Sequence, residues 1–296
     1  MTNHSPLRYP GGKGKLAPYV SEILRQNDLE GGHYAEPFAG GAAVALDLLF
    51  SERVKHIHIN DLDWTVYSFW KAIIDHTEDF VSLIERTEIT VDEWMNAREV
   101  KRAARSHAVL EVGFSTFFLN RTNRSGILNG GMIGGIAQDG AWKLDCRFNK
   151  ADLIQRIRRI GMFRSRITLT NLDASDFLTN HIPSIAPRSL IYIDPPYYVK
   201  GASLYQNHFN HQDHVDLAGV VKAIDRHAWF VSYDNVEQIR RIYRDCDQEQ
   251  FGIGYSARNH SKGSEVMVFG NGLRRPPNVF VSKTEQRAIL RAAAYG

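Results

Sequence analysis

Cysteine is nearly absent from this 296-residue chain: Cys146 and Cys246 stand alone, 100 positions apart, with no Cys-x-x-Cys pair. That excludes a disulfide scaffold and a cysteine-based zinc site. Long apolar runs are missing too. Residues 42–50, the longest such stretch near the start, are too short to span a bilayer and include Asp47. Residues 1–14 are polar and Gly/Pro-rich, without the apolar core of a secretory signal, so a cytoplasmic protein with no membrane role is expected. Charge of one sign is lacking as well, since 36 Lys+Arg against 33 Asp+Glu leave only +3. No repeat or low-complexity tract is visible. With 43% hydrophobic residues, disorder is excluded and a real core is available. The length suits two domains, or one large α/β domain carrying an insertion.

The patterning gives that second layout. A helix is expected over 15–25, a strand at His33–Glu36, a turn at Gly40-Gly41, a helix over 42–50 and a strand at His56–Asn60. This is the opening βαβ unit of a parallel sheet. Residues 64–120 carry apolar positions at helical spacing (Val66, Phe69, Trp70, Ile73, Ile74). Residues 121–145 lose that period and fill with Gly, Asn and Arg, which marks a functional, hairpin-forming or mobile loop. A basic helix over 151–160 leads back to strands at 167–171, 190–193, 229–233 and 265–269, with a helix over 211–226. The stretch after Pro276-Pro277 reads as a peripheral tail.

Three motifs carry chemistry. Asp194-Pro195-Pro196-Tyr197 follows the apolar strand at 190–193, at a carboxyl end where open α/β sheets place ligands. Two prolines cannot donate to a ladder, so the chain leaves the sheet along a fixed, extended path. The Pro195 carbonyl and the Asp194 carboxylate are then adjacent acceptors, and Tyr197 is a flat π face. That set suits an exocyclic amine on a planar base. Two hydrogen bonds would favour a pyramidal nitrogen with its lone pair aimed at an electrophile. The second motif, Tyr34-Ala35-Glu36-Pro37-Phe38-Ala39-Gly40-Gly41, has the strand–turn–helix form of a nucleotide-cofactor site. Asp61, at the end of the next strand, suits ribose hydroxyls. It is not Gly-x-Gly-x-x-Gly, which disfavours a dinucleotide. In the third, Arg8-Tyr9-Pro10-Gly11-Gly12-Lys13, Lys13 is placed to neutralise the carboxylate of a zwitterionic ligand while Tyr9 packs against it.

Together, and in this order, these motifs resemble the α-class (D12 type, Dam-like) DNA adenine-N6 methyltransferases. The similarity runs from about Pro6 to Phe269 and includes Phe118-Leu119-Asn120-Arg121 and Ser125-Gly126-Ile127. The resemblance implies a Rossmann-like catalytic sheet (residues 1–63 plus 167–296) that uses S-adenosylmethionine. It implies an inserted, mostly helical target-recognition domain (residues 64–166). By analogy, Tyr9 and Lys13 hold the cofactor's methionine end, Phe38 and Gly40 line its cleft, Asp61 takes the ribose, and Asp176-Phe177 meets its adenine. Asp194, Pro195, Pro196 and Tyr197 are the catalytic segment, Asp194 touching both cofactor and target amine. A base in a duplex cannot enter such a pocket, so the adenine must be flipped out. Asn120, Arg121, Asn123, Arg124, Ser125 and Asn129 carry donors and acceptors suited to base edges and phosphates. Arg124-Ser125-Gly126 with Asn129 departs from the aromatic-Asn-Gly of members that read GATC.

The implied partner is double-stranded DNA, with a cognate restriction endonuclease acting on the same site in a bacterial or phage setting, and the chain is expected to be a monomer. No metal is expected: His208, His211 and His214 lack a carboxylate partner. Asn207 and His208 are candidates to close over the base, and Ser232-Tyr233-Asp234-Asn235 to line the cleft. Two rivals stand beside this reading, a catalytically silent DNA-binding protein of the same fold and an RNA adenine methyltransferase. Charge distribution favours nucleic acid: residues 98–166 hold 14 Lys+Arg and 5 Asp+Glu, or +9, and the remainder is −6.

Overall fold

The computed structural model describes residues 4–8, 13–199, 209–252, 264–270 and 272–277. Strands β1 (His33–Glu36), β2 (His56–Asn60), β3 (Ile167–Thr170), β4 (Ser189–Ile193) and β5 (Ala228–Asp234) pair in parallel. β7 (Ser264–Phe269) runs antiparallel to both β5 and β6 (Asp247–Gly252), and the sheet order is β3-β2-β1-β4-β5-β7-β6. All five residues of β4 are buried, as its unbroken apolar run requires of a central parallel strand. From β1 the chain turns to one side to make β2 and later returns on the other side as β4. Such a reversal opens a crevice at the carboxyl ends of β1 and β4.

The strands expected at 33–36 and 56–60 have those bounds, those at 167–171, 190–193 and 265–269 shift by one residue at one end, and that at 229–233 gains one at each end. β6 was not expected. Its Asp-Gln-Glu-Gln start carries no apolar alternation, and it forms because β7 offers a free edge for backbone pairing. The tail after Pro277 lies outside the described residues. Among the described residues no helix is long and apolar enough to cross a membrane.

Between β2 and β3 run α3 (Trp64–Asp75), α4 (Thr77–Arg86), α5 (Val91–Arg102), α6 (Val109–Thr122) and α7 (Lys150–Met162). α3 starts where Asp63 accepts the Thr65 N–H at 2.8 Å, an N-cap bond. α6 lies close against α3 because Gly113 has no side chain: a Cβ there would sit 2.5 Å from the Ser68 carbonyl oxygen. The rings of Phe69, Phe80 and Phe117 meet at 5.4–6.0 Å between centroids. Truncating one such ring typically costs about 3–5 kcal/mol. These helices share a single apolar cluster with the sheet, running from Leu46 and Ile59 through Phe69 and Phe117 to Ile157. Elsewhere α1 (Ala17–Gln26) and α2 (Ala43–Phe50) cover the first strands. α8 (His211–Lys222) begins with a capping box between Asn210 and Asp213, and α9 (Glu237–Ile242) follows β5.

Four histidines chain together across the first strands. His33 Nδ1 lies 3.0 Å from His58 Nε2, and His58 Nδ1 lies 3.1 Å from His181 Nε2. The His56 ring tilts against His58 at 4.8 Å. Burial, then the neighbouring imidazoles, push His58 down to about 3; burial and nearby cations, among them Arg166 and Lys55, push His56 down to about 4. His33 and His181 are lowered as well. The fold therefore holds neutral rings that the unfolded chain protonates below its ordinary value of 6.5. Their contribution is complete above about pH 7.5 and is lost as pH falls from 6.5 toward 4, because the unfolded state then binds more protons. Buried carboxyls with raised values act in the opposite sense over that range, so the comparison must be with a variant. The melting temperature of His58→Gln is expected to gain on the wild type steadily between pH 7.5 and pH 5. A constant difference, measured by circular dichroism, would contradict this.

Candidate active site

The carboxyl ends of β1, β2 and β4 each present an acidic residue: Glu36, Asp61 and Asp194. Glu36 is buried, where its Oε1 accepts the Tyr34 hydroxyl at 3.0 Å and the Ala45 N–H at 3.2 Å, tying strand to helix α2. Burial raises it to about 8, so it is neutral at physiological pH. The turn between them is held from below. Gly40 sits at φ 46°, in the left-handed region that glycine tolerates, and its carbonyl accepts the Trp70 indole N–H at 2.9 Å. Asn60, fully buried, donates to the carbonyls of Pro37 and Leu172 at 3.0 Å each. The turn after β1 is thus locked to the ends of β2 and β3.

Asp61 accepts the Gly40 N–H at 2.8 Å through one oxygen and the Asp63 N–H at 2.9 Å through the other. Burial, with Asp63 nearby, still raises it to about 7. A carboxyl so placed is stabilised by further donors, and vicinal ribose hydroxyls are such donors. Phe38, half-buried, meets Phe209 edge to face at 6.0 Å. The residues present therefore fit an adenosyl cofactor: an acidic acceptor at the end of β2, a glycine turn, and an aromatic beside it.

At β4 a charged cluster forms. Asp194 Oδ1 accepts the Ser232 hydroxyl at 2.6 Å and pairs with the Lys13 ammonium at 3.2 Å. Its Oδ2 accepts no hydrogen bond from a described residue, and neither does the Pro195 carbonyl. Burial raises the Asp194 pKa, while Lys13 and the Ser232 hydroxyl favour its charged form. Tyr197 donates to Glu265 Oε1 at 2.6 Å and accepts from Lys13, whose ammonium also lies 4.8 Å from the Tyr197 ring centroid. Lys13 is 3.3 Å from both oxygens of Glu265. Ser232 is oriented in turn by Tyr192, whose hydroxyl is 2.8 Å away. Asp234 accepts the N–H groups of Tyr198 and Val199 at 2.9 Å each, fixing the path after Tyr197.

Lys13 therefore does not face outward toward a ligand carboxylate, as its motif suggested; its ammonium is engaged with Asp194 and Glu265 inside the protein. Glu265 was missed. The available signal was an acidic residue opening an otherwise apolar strand. Of the residues expected to line the cleft, Ser232 bonds Asp194 and Asp234 holds the backbone after Tyr197. Phe177 is 0% exposed and stacked on His181 at 4.9 Å, so it has no face for a cofactor ring, whereas Asp176 is exposed. His211 and His214 meet the hydroxyls of Tyr198 and Tyr233 at 3.1 and 3.0 Å. Tyr9, Asn207 and His208 lie outside the described residues.

The residues expected to touch DNA divide in two. Asn120 is buried: its Oδ1 accepts the Arg8 N–H at 2.7 Å and its Nδ2 donates to the carbonyls of Arg8 and Gly126 at 2.9 Å. Asn123 is buried too, accepting the Trp94 indole N–H at 2.7 Å and donating to the Ile127 carbonyl at 2.9 Å. Both amides are saturated by scaffold contacts and cannot read bases. Gly126, at φ 76°, faces the Arg8 carbonyl so closely that a Cβ would lie 2.2 Å from it. Arg124, Ser125 and Asn129 are exposed, Asn129 accepting from Lys101 at 2.6 Å. Arg121 is 8% exposed and makes no hydrogen bond or ion pair with a described residue.

The sheet order thus reverses between β2-β1 and β4-β5, with acidic residues at the carboxyl ends of β1, β2 and β4 around the crevice where open α/β sheets place ligands. The model of the D12 class N6 adenine-specific DNA methyltransferases matches residues 9–258, and the chain belongs to that family. S-adenosylmethionine is accordingly its methyl donor. None of the curated proteins matches the sequence. Among solved structures, a proposed RNA methyltransferase from Pyrococcus horikoshii is 11% identical, with a TM-score of 0.41 over 89% of this chain and 86% of its own. An rRNA methyltransferase from Streptomyces viridochromogenes is 13% identical, with a TM-score of 0.37 over 88% and 86%. Likenesses this distant carry no weight for substrate.

Two outcomes are expected. Asn120→Ala should cost about 1–3 kcal/mol of stability, read in a urea titration, because it strips a buried Arg8 N–H of its acceptor. Tyr197→Phe and Glu265→Gln should each lower kcat for methyl transfer about tenfold, and the double variant should be no worse than the weaker single. Additive losses would show that the two side chains act separately.

Proposed function

We propose that the protein is a site-specific methyltransferase that moves a methyl group to the N6 amine of an adenine flipped out of double-stranded DNA. In this reading residues 1–63 plus 167–296 form the catalytic part and residues 64–166 the DNA-recognising part. The observation that carries it is the pair of adjacent acceptors after β4, Asp194 Oδ2 and the Pro195 carbonyl, neither of them taken by a described donor. An amine nitrogen has two protons to give, and this site has two acceptors for them. With both protons so held, the N6 lone pair turns out of the ring plane toward the methyl donor.

When bound, S-adenosylmethionine supplies an electrophilic methyl group on a positively charged sulfur. Asp61 holds its ribose side, and Phe38 and the Gly40 turn border the cleft. Lys13 acts one step back, keeping Asp194 charged and in place. Tyr197, fixed by its hydroxyl to Glu265, presents its ring to the target base. Receipt of the methyl group that the bound cofactor would supply would leave N6 cationic, with a proton to release. Asp194, raised by burial, is the nearest acceptor for it.

Tritiated cofactor and unmethylated genomic DNA test the reading. Wild-type protein should label the DNA, and Asp194→Ala should lower the rate by at least about a hundredfold while still binding cofactor. Labelling of RNA in preference to DNA, or a fully active Asp194→Ala, would overturn it. DNA affinity should also fall steeply between about 50 and 200 mM salt as counterions are released.

A further inference from the structure

The loop after α6 exposes two large apolar side chains on a built framework. Ile136 is 71% exposed and Trp142 64% exposed. The loop carrying them is knotted around Gln138, whose Nε2 donates to the carbonyls of Ile133 and Gly135 at 2.8 and 2.5 Å. Its Oε1 accepts the Leu144 N–H at 2.8 Å. Met132 and Leu144 anchor the two ends in the core. Lys143 donates to the Gln138 carbonyl. The exposure of Trp142 is thus held in place by the loop's own hydrogen bonds.

Beside it lies a cluster of like charge. The Arg147 guanidinium is 5.6 Å from the Trp142 ring centroid, and Arg147 acts electrostatically on both Arg8 and Arg121. Arg156 faces Arg121 as well, but is paired with Asp152 at 2.8 Å. Asp152 favours the charge of Arg121, but three guanidinium groups oppose it and its buried Nε has no hydrogen-bond partner among the described residues, so an anion would stabilise it further. The Arg8–Asn120 bonds tie α6, which carries Arg121, to the N-terminal segment that leads to Lys13. Five chain steps separate Arg8 from Lys13, which touches Asp194, and they span at most about 18 Å. Backbone phosphates beside an aromatic ring are what a strand of DNA offers.

We infer that Trp142 is the side chain that stacks on the DNA bases next to the flipped adenine, with Ile136 beside it and with Arg121, Arg8 and Arg147 holding the neighbouring phosphates. The inference rests on the proposed DNA methyltransferase activity and names the residues that grip the duplex. An opened base step leaves a gap in the stack, and an apolar wedge from the protein fills it.

The test uses full-length protein, unmethylated duplex DNA and two variants. Duplex DNA should quench tryptophan emission of the wild type, and clearly less that of Trp142→Phe, whose other four tryptophans remain. Trp142→Ala should slow methyl transfer to duplex DNA about tenfold. Trp142→Phe should restore most of the rate, and both should bind tritiated cofactor within twofold of wild type. Equal quenching in wild type and Trp142→Phe, or an unimpaired Trp142→Ala, would overturn the inference. Should Trp142→Ala also lose cofactor binding, the quenching comparison alone decides. If the wild type neither binds nor methylates duplex DNA, the methyltransferase reading has failed and not only the role of Trp142.

Discussion

One buried ammonium joins three distant parts of the chain. Lys13, at the head of the N-terminal helical turn, meets Asp194 at the end of β4 and Glu265 at the start of β7, and accepts Tyr197 into the same cluster. Burying an ion is costly, and the arrangement persists only because both carboxylates repay it. Without the ammonium, two carboxylates would face each other in a confined space and one would take a proton. Asp194 would then lose the charge and the position that its chemistry needs. In the proposed reading, Asp194 can serve the target amine because Lys13 of the N-terminal segment is held against the sheet.

That dependence extends to the inserted helices. Asn120 clasps the backbone of Arg8, just upstream of Lys13, and Trp70 holds the carbonyl of Gly40 in the cofactor turn. The inserted helices are therefore bonded both to the N-terminal segment and to the turn after β1, and they share their apolar core with the sheet. Charge follows the same division of labour, with the excess of arginine and lysine confined to residues 98–166.

Local patterns made the parallel strands legible. The apolar strand at 190–193 ends at two prolines, and the strand–glycine turn–helix order fixes β1 and its neighbours. The placement of Asp61 and Asp194 at strand ends could be read because a carboxylate that follows an apolar strand is a local feature. Partnerships across the chain could not be read. Glu265 is 68 positions from Tyr197, and nothing local marks their bond. Lys13 looked like a ligand contact because its motif does not reveal that two carboxylates return to it. Asn120 and Asn123 have the chemistry of base readers, yet burial and backbone contacts occupy them. Phe177 is likewise sealed in the core. β6 escaped notice because pairing, not composition, makes it a strand. The histidine chain is invisible until β1 and β2 stand side by side.

In the proposed function, the paired acceptors of Asp194 and Pro195 direct a methyl group to an adenine N6. Digestion of duplex DNA incubated with the protein and isotope-labelled S-adenosylmethionine, followed by mass spectrometry of the nucleosides, tests it most directly. The account predicts the label in N6-methyldeoxyadenosine and in no other nucleoside. Label in a methylated cytosine, or none in DNA from a protein that binds the cofactor, would contradict it.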